Sequence, residues 1–235
     1  MSSSFELRGP AGRLEALLDP ADPNNPRATI PGAVVAHPHP LRGGTLHNTV
    51  VFRTAKALAA AGFDVLRFNF RGVGASSGAH DEGRGELEDY RAALAALAAR
   101  GCMPLFACGY SFGAIQALAA AAGDARVFAV AAIGFPVSMA PEELLRSCAK
   151  PLLVVQGSDD PFGSPADVAA EAARAPRARV AEIAAAGHFF EGRAQEVADA
   201  VAAFAARELA AAIPTKFSEA RPPSKPNESE VRRGP

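Results

Sequence analysis

The chain has no tryptophan and only two tyrosines in 235 residues. Cysteine is scarce as well. Cys102, Cys108 and Cys148 are an odd number, without the paired spacing of a zinc site or a disulfide framework. They read as reduced thiols, which makes the expected location cytoplasmic. Charge of one sign is also missing. Lys and Arg number 24 against 25 Asp and Glu, and a net charge of -1 gives no footprint for nucleic acid or an anionic membrane. No uncharged apolar run reaches the ~18 residues of a membrane helix. The start, MSSSFELRGP, lacks a basic region followed by an apolar core, so no secretion signal is read there. What is there suits a globular fold, with 49% hydrophobic residues and a length expected of one domain. Residues 1–213 are taken as that domain, and the polar, proline-rich segment 214–235 as a disordered tail.

Two strand-like pieces come first, FELRG and RLEALLD, and the turn signal PAG between them predicts an antiparallel hairpin. Apolar runs of strand length then alternate with helical patterns. The runs are GAVVAH, FDVLRFNF, MPLFACG, VFAVAAIGF, PLLVVQG and ARVAEIA. Helices are expected over 49–61, 86–100, 112–122, 165–175 and 193–212. Such alternation predicts an α/β fold, a mostly parallel sheet of about eight strands with helices on both faces.

Functional residues in such sheets gather beyond the carboxyl ends of the strands. The polar residues expected at that edge are His37, His39, Asn69, Arg71, Ser111, Asp159, Asp160 and His188. Ser111 lies in GYSFG, between a strand and an alanine-rich helix. Two glycines around one polar residue suggest a turn that presents a serine hydroxyl clear of the backbone. A serine needs a base to take its proton and a third group to orient that base. His188, the only histidine after residue 80, is the candidate base, and Asp159 or Asp160 the candidate acid. The order Ser, Asp, His is the one this fold uses. An oxyanion would meet the N–H of Phe112 and a second donor from AHPHPLRGG. Pro38 and Pro40 have no N–H, so His39 and Leu41 remain, with Leu41 preferred.

Other patterns are set aside. His37 and His39 lack a further nearby ligand, so they are read as support for the oxyanion loop and not as a metal site. RGVGASSG lacks the Lys-Ser/Thr ending of a P-loop and is read as a loop packed beside the elbow; no cofactor is expected. Phe112, Phe135, Phe162 and Phe189 are candidates for an acyl pocket or, equally, for the core.

Taken together, HPHPLRGGTLHN, LRFNFRGVGASSG, GYSFG, QGSDDPFG and GHFF resemble an α/β-hydrolase over residues 30–205. More narrowly, they resemble the small lidless bacterial hydrolases related to dienelactone hydrolases and serine esterases and peptidases. The resemblance implies a Gly-x-x-Asp acid, which selects Asp160. Its usual acidic residue ahead of Arg-Gly-x-Gly is Asn69 here, a departure read as structural. The short segment between IGFPV and KPLLVV leaves no room for a lid. The implied activity is carboxylesterase-like, on a small-molecule substrate and with no metal. Acyl transfer, lactone hydrolysis and peptide cleavage by the same triad are alternatives, as is a binding protein of this fold without turnover. No oligomeric state is read from the sequence.

Overall fold

The structure is a computed structural model and describes residues 2–25, 27 and 29–212. The expected tail, 214–235, lies outside the described residues. The first two strands, β1 (Ser3–Gly9) and β2 (Gly12–Asp19), form the predicted hairpin, turning at Pro10 and Ala11. Alternation makes it: Leu14, Ala16 and Leu18 of β2 are buried while Arg13 is exposed. Six more strands follow: β3 (Gly32–Ala36), β4 (Asp64–Phe68), β5 (Leu105–Tyr110), β6 (Val127–Ile133), β7 (Leu152–Gly157) and β8 (Ala178–Ile183). The order across the sheet is β1-β2-β4-β3-β5-β6-β7-β8. From β4 to β8 every pairing is parallel, and β2 joins β4 antiparallel.

Five helices cover the sheet: α1 (Thr49–Ala60), α2 (Arg84–Ala99), α3 (Phe112–Ala121), α4 (Pro165–Ala172) and α5 (Ala194–Ala212). The central strands are buried on both faces, so they read as continuous apolar runs and not as alternations. Successive residues of β5 serve opposite layers. Leu105 and Ala107 pack with α2 and α3, whereas Phe106, Cys108 and Tyr110 pack with α1 and α5. Each fully buried Leu or Phe in these layers contributes roughly 1.5–3 kcal/mol.

The chain moves from β3 outward to β4 and then back across β3 to β5. Beyond the carboxyl ends of β3 and β5 it therefore opens a crevice, the usual ligand position in a doubly wound sheet. Between β6 and β7, residues 134–151 make only turns and bends, and no domain is inserted there. No helix among the described residues is long and apolar enough to cross a membrane.

Two local expectations need correction. The glycine stretch of RGVGASSG does not pack on the elbow but on β2. The Glu15 carboxylate accepts hydrogen bonds from the Ala75 N–H and from Asn69 Nδ2, and Ser76 Oγ donates to the Asn69 carbonyl. Only the segment after it, around His80 to Gly83, reaches the elbow. Helix α2 also starts two residues early, because the Glu86 carboxylate turns back to accept the Gly83 N–H and caps the first turn.

Candidate active site

Ser111 sits between the last residue of β5 and the first of α3, at φ 55° and ψ -116°. That left-handed backbone is strained for a residue with a Cβ, by about 1–3 kcal/mol. The flanking glycines allow it. A Cβ on Gly109 would collide with the Gly113 carbonyl, and one on Gly113 would lie 2.6 Å from both the Ala36 and His37 carbonyl oxygens. The glycines of GYSFG are thus required by close backbone approach between β3, β5 and α3.

His188, from the turn after β8, is 6% exposed and reaches the serine. Its Nε2 lies 2.9 Å from Ser111 Oγ and its Nδ1 lies 2.8 Å from Asp160 Oδ2. An ionised carboxylate only accepts, so the proton of the neutral imidazole sits on Nδ1 and Nε2 is free to accept from the serine hydroxyl. Tyr110 holds the histidine turn by donating its hydroxyl to the His188 carbonyl at 2.7 Å. Phe162 meets the imidazole edge-on at 4.6 Å.

The two adjacent aspartates have different surroundings. Asp160 is 4% exposed and accepts from Gln156 Nε2 at 2.9 Å and from the Phe162 N–H at 2.9 Å, besides His188. Asp159 is exposed, and among the described residues only its backbone N–H is engaged, with the Ala186 carbonyl. Gln156 was not singled out in the sequence as part of the site, although it links Asp160 to the rest of the edge. Its side chain accepts the Phe135 N–H and donates to Asp160 and to the Gly163 carbonyl. The available signal was a polar residue ending the apolar run PLLVVQG: a buried amide needs partners, and here they are site residues.

The loop after β3 forms a single 3-10 turn, Pro40–Arg42. Leu41, the preferred second donor, spends its N–H on His39 Nδ1 at 3.2 Å, and its side chain is 72% exposed. The His39 N–H has no protein acceptor among the described residues, and neither has that of Phe112. The rings of these two residues lie 5.2 Å apart. His37 is fully buried, with Nε2 accepting the Phe70 N–H at 3.1 Å and Nδ1 2.6 Å from the Pro38 carbonyl. Burial pushes its pKa down to about 4. Neutral, and with both nitrogens engaged, it pins the loop. Among the described residues no three His, Cys, Asp or Glu side chains are grouped to hold a metal.

Residues 34–213 match the family model described as the alpha/beta hydrolase domain. The chain belongs to the α/β-hydrolase family. A Coxiella burnetii structure described as an alpha-beta serine hydrolase homologue is 33% identical, covering 86% of this chain and 96% of its own, with a TM-score of 0.74. A Xanthomonas campestris structure described as a serine hydrolase without lid is 31% identical, covering 88% and 94%, with a TM-score of 0.78. An uncharacterized protein of Rickettsia prowazekii is 37% identical over 167 residues, 69% of this chain and 68% of its own length.

In this α/β hydrolase the aromatic side chains expected around the serine are unequally buried. Of the four phenylalanines weighed as pocket walls, Phe135 is 2% exposed and belongs to the core. Phe112 and Phe162 are half-buried beside the site, and Phe189 is 67% exposed next to His188. A cleft of about 430 Å³ borders Asp160, Pro161 and Phe162 on the side of α4, and its walls include neither Ser111 nor His188. Asn69, buried, fills a structural place: its Oδ1 accepts the Leu46 N–H at 2.7 Å.

Proposed function

We propose that this α/β hydrolase is a serine hydrolase that cleaves a carboxylic ester of a small substrate through an acyl-enzyme. The observation that carries the reading is the hydrogen-bonded chain from Ser111 through His188 to Asp160, anchored on a strained elbow. Ser111 Oγ attacks the ester carbonyl carbon while His188 Nε2 takes its proton. Asp160 keeps the imidazole in the accepting tautomer and stabilises the imidazolium. The carbonyl oxygen becomes an oxyanion facing the free N–H groups of Phe112 and His39. His39 replaces Leu41 as second donor because the Leu41 N–H is already occupied. Collapse of the tetrahedral adduct breaks the C–O bond, and the leaving alcohol takes the proton from His188. Water, deprotonated by the same nitrogen, then attacks the acyl-serine, and the carboxylic acid leaves as Ser111 regains its proton.

The surroundings favour modest substrates with apolar parts. Among the described residues, three of the five exposed large apolar side chains, Leu41, Met139 and Phe189, stand on loops at the carboxyl edge of the sheet. Of these, Leu41 on the His39 turn and Phe189 against His188 stand beside the site and offer apolar contact to an acyl or alkyl group. A fluorophosphonate probe tests the reading: it is expected to label the wild-type protein and to spare Ser111→Ala. Equal labelling of both overturns the assignment of the nucleophile.

A further inference from the structure

Of the buried carboxylates that take no part in the chemistry above, Glu86 lies nearest the elbow, through the loop before α2. Glu86, in the first turn of α2, has a fully buried side chain on the face that also buries Tyr90, Ala93, Leu94 and Leu97 and the Arg71-paired Asp89. A buried carboxylate is tolerated only with several donors around it. Glu86 has them: its two oxygens accept the N–H groups of Asp81 and Gly83, each at 2.9 Å. To meet it, the chain takes left-handed backbone at Glu82 (φ 51°) and Gly83 (φ 90°).

The effect of that loop is to place His80. Its Nδ1 lies 2.8 Å from Glu86 Oε1, an ion-pair distance, though the N–H does not line up as a hydrogen bond. Its ring lies 5.2 Å from that of His39 and 5.9 Å from that of Phe112. With the 5.2 Å contact between His39 and Phe112, the three rings close a triangle. Two corners of that triangle belong to the residues whose N–H groups have no protein acceptor among the described residues and are proposed above as oxyanion donors. The third corner touches both and is tied to a carboxylate that cannot move.

We propose that His80, fixed by Glu86, is a positioning residue of the oxyanion hole that sets the spacing between the His39 and Phe112 N–H groups. The inference rests on the serine hydrolase reading. Oxyanion stabilisation depends on donors that are already in place, and displacements of about 1 Å can lower rates up to ~100-fold. Loosening the donors without removing them should act on kcat and leave KM alone.

The test is hydrolysis of a p-nitrophenyl ester by the full chain, with rates normalised to the serine titrated by a fluorophosphonate. His80→Ala is expected to lower kcat per titrated site by about tenfold, with KM within twofold of wild type. His80→Phe, which keeps a ring in the triangle but loses the tie to Glu86, should recover only part of that loss. Glu86→Gln, which keeps the shape but loses one acceptor, should fall between. Normalisation to titrated sites removes any fraction that fails to fold. Wild-type kcat in His80→Ala overturns the proposal. So does a raised KM with kcat unchanged, which would make His80 a ground-state substrate contact. Failure of the wild type to label at all sinks the serine hydrolase reading instead.

Discussion

Replacing Asp160 by Asn keeps the side-chain shape and changes what its atoms can accept. In the structure one carboxylate oxygen accepts from His188 and Gln156, and the other from the Phe162 N–H. An amide in either orientation puts an NH₂ against a buried donor. If its oxygen stays with Phe162, the NH₂ faces His188 and drives the imidazole proton to Nε2, where the serine hydroxyl finds no acceptor. If its oxygen faces His188, a buried backbone N–H is left opposed by a donor, at about 1–3 kcal/mol. With the tautomer switched, the first orientation opposes only the Gln156 amide, a side chain that keeps the Gly163 carbonyl, whereas the second opposes the Phe162 backbone N–H, which has no other acceptor among the described residues, so the first dominates. The expected loss in kcat is then about 10⁴-fold, which at ~1.36 kcal/mol per decade is ~5.4 kcal/mol. Asp159→Asn, at an exposed side chain, should stay within about twofold of wild type. The assay is p-nitrophenyl ester hydrolysis beside a thermal melt of each variant. Equal losses in the two variants, or Asp160→Asn above a tenth of wild-type kcat while folded, would refute the reasoning.

Gly113→Ala places a Cβ 2.6 Å from two carbonyl oxygens, of Ala36 at the end of β3 and His37 just after it. It should lower stability in a melt by about 1–3 kcal/mol and remove ester hydrolysis; a wild-type melt would show the approach to be softer than argued. For His37, the folded pKa of about 4 lies below the reference ~6.5, so its neutral state stabilises the fold above ~6.5 and that contribution is lost as pH falls toward 4. Imidazole NMR should show His37 neutral at pH 5, and titration near 6.5 would contradict its burial. Phe189→Ser and Leu41→Ser should each lower kcat/KM several-fold for an octanoate ester and little for an acetate, since each removes apolar surface only a longer chain would reach. Equal effects on both esters would detach the rim from substrate binding.

The sheet was legible because its central strands are apolar from end to end and its helices are alanine-rich. The hairpin could be read from its turn and its alternation. The serine elbow also announced itself locally, since close backbone approach leaves only glycine at Gly109 and Gly113. Where residue chemistry alone left a choice, tertiary contacts settle it. Asp159 and Asp160 are chemically identical neighbours; the resemblance selects Asp160, and its contacts with Gln156, Phe162 and His188 give the physical reason. The preference for Leu41 ignored that the His39 side chain would take its N–H in a tight turn. The role of Glu86 was hidden because a glutamate in the first turn of a helix reads as a solvated cap. Its burial follows from how the loop folds back, which no local pattern encodes.

The central claim is a covalent bond to one oxygen. Turnover of a p-nitrophenyl ester, quenched in acid within the first cycles and digested, is the direct measurement. The account predicts the added acyl mass on the peptide containing Ser111, and none in Ser111→Ala. Acyl mass on another residue, or undiminished turnover by Ser111→Ala, would contradict it.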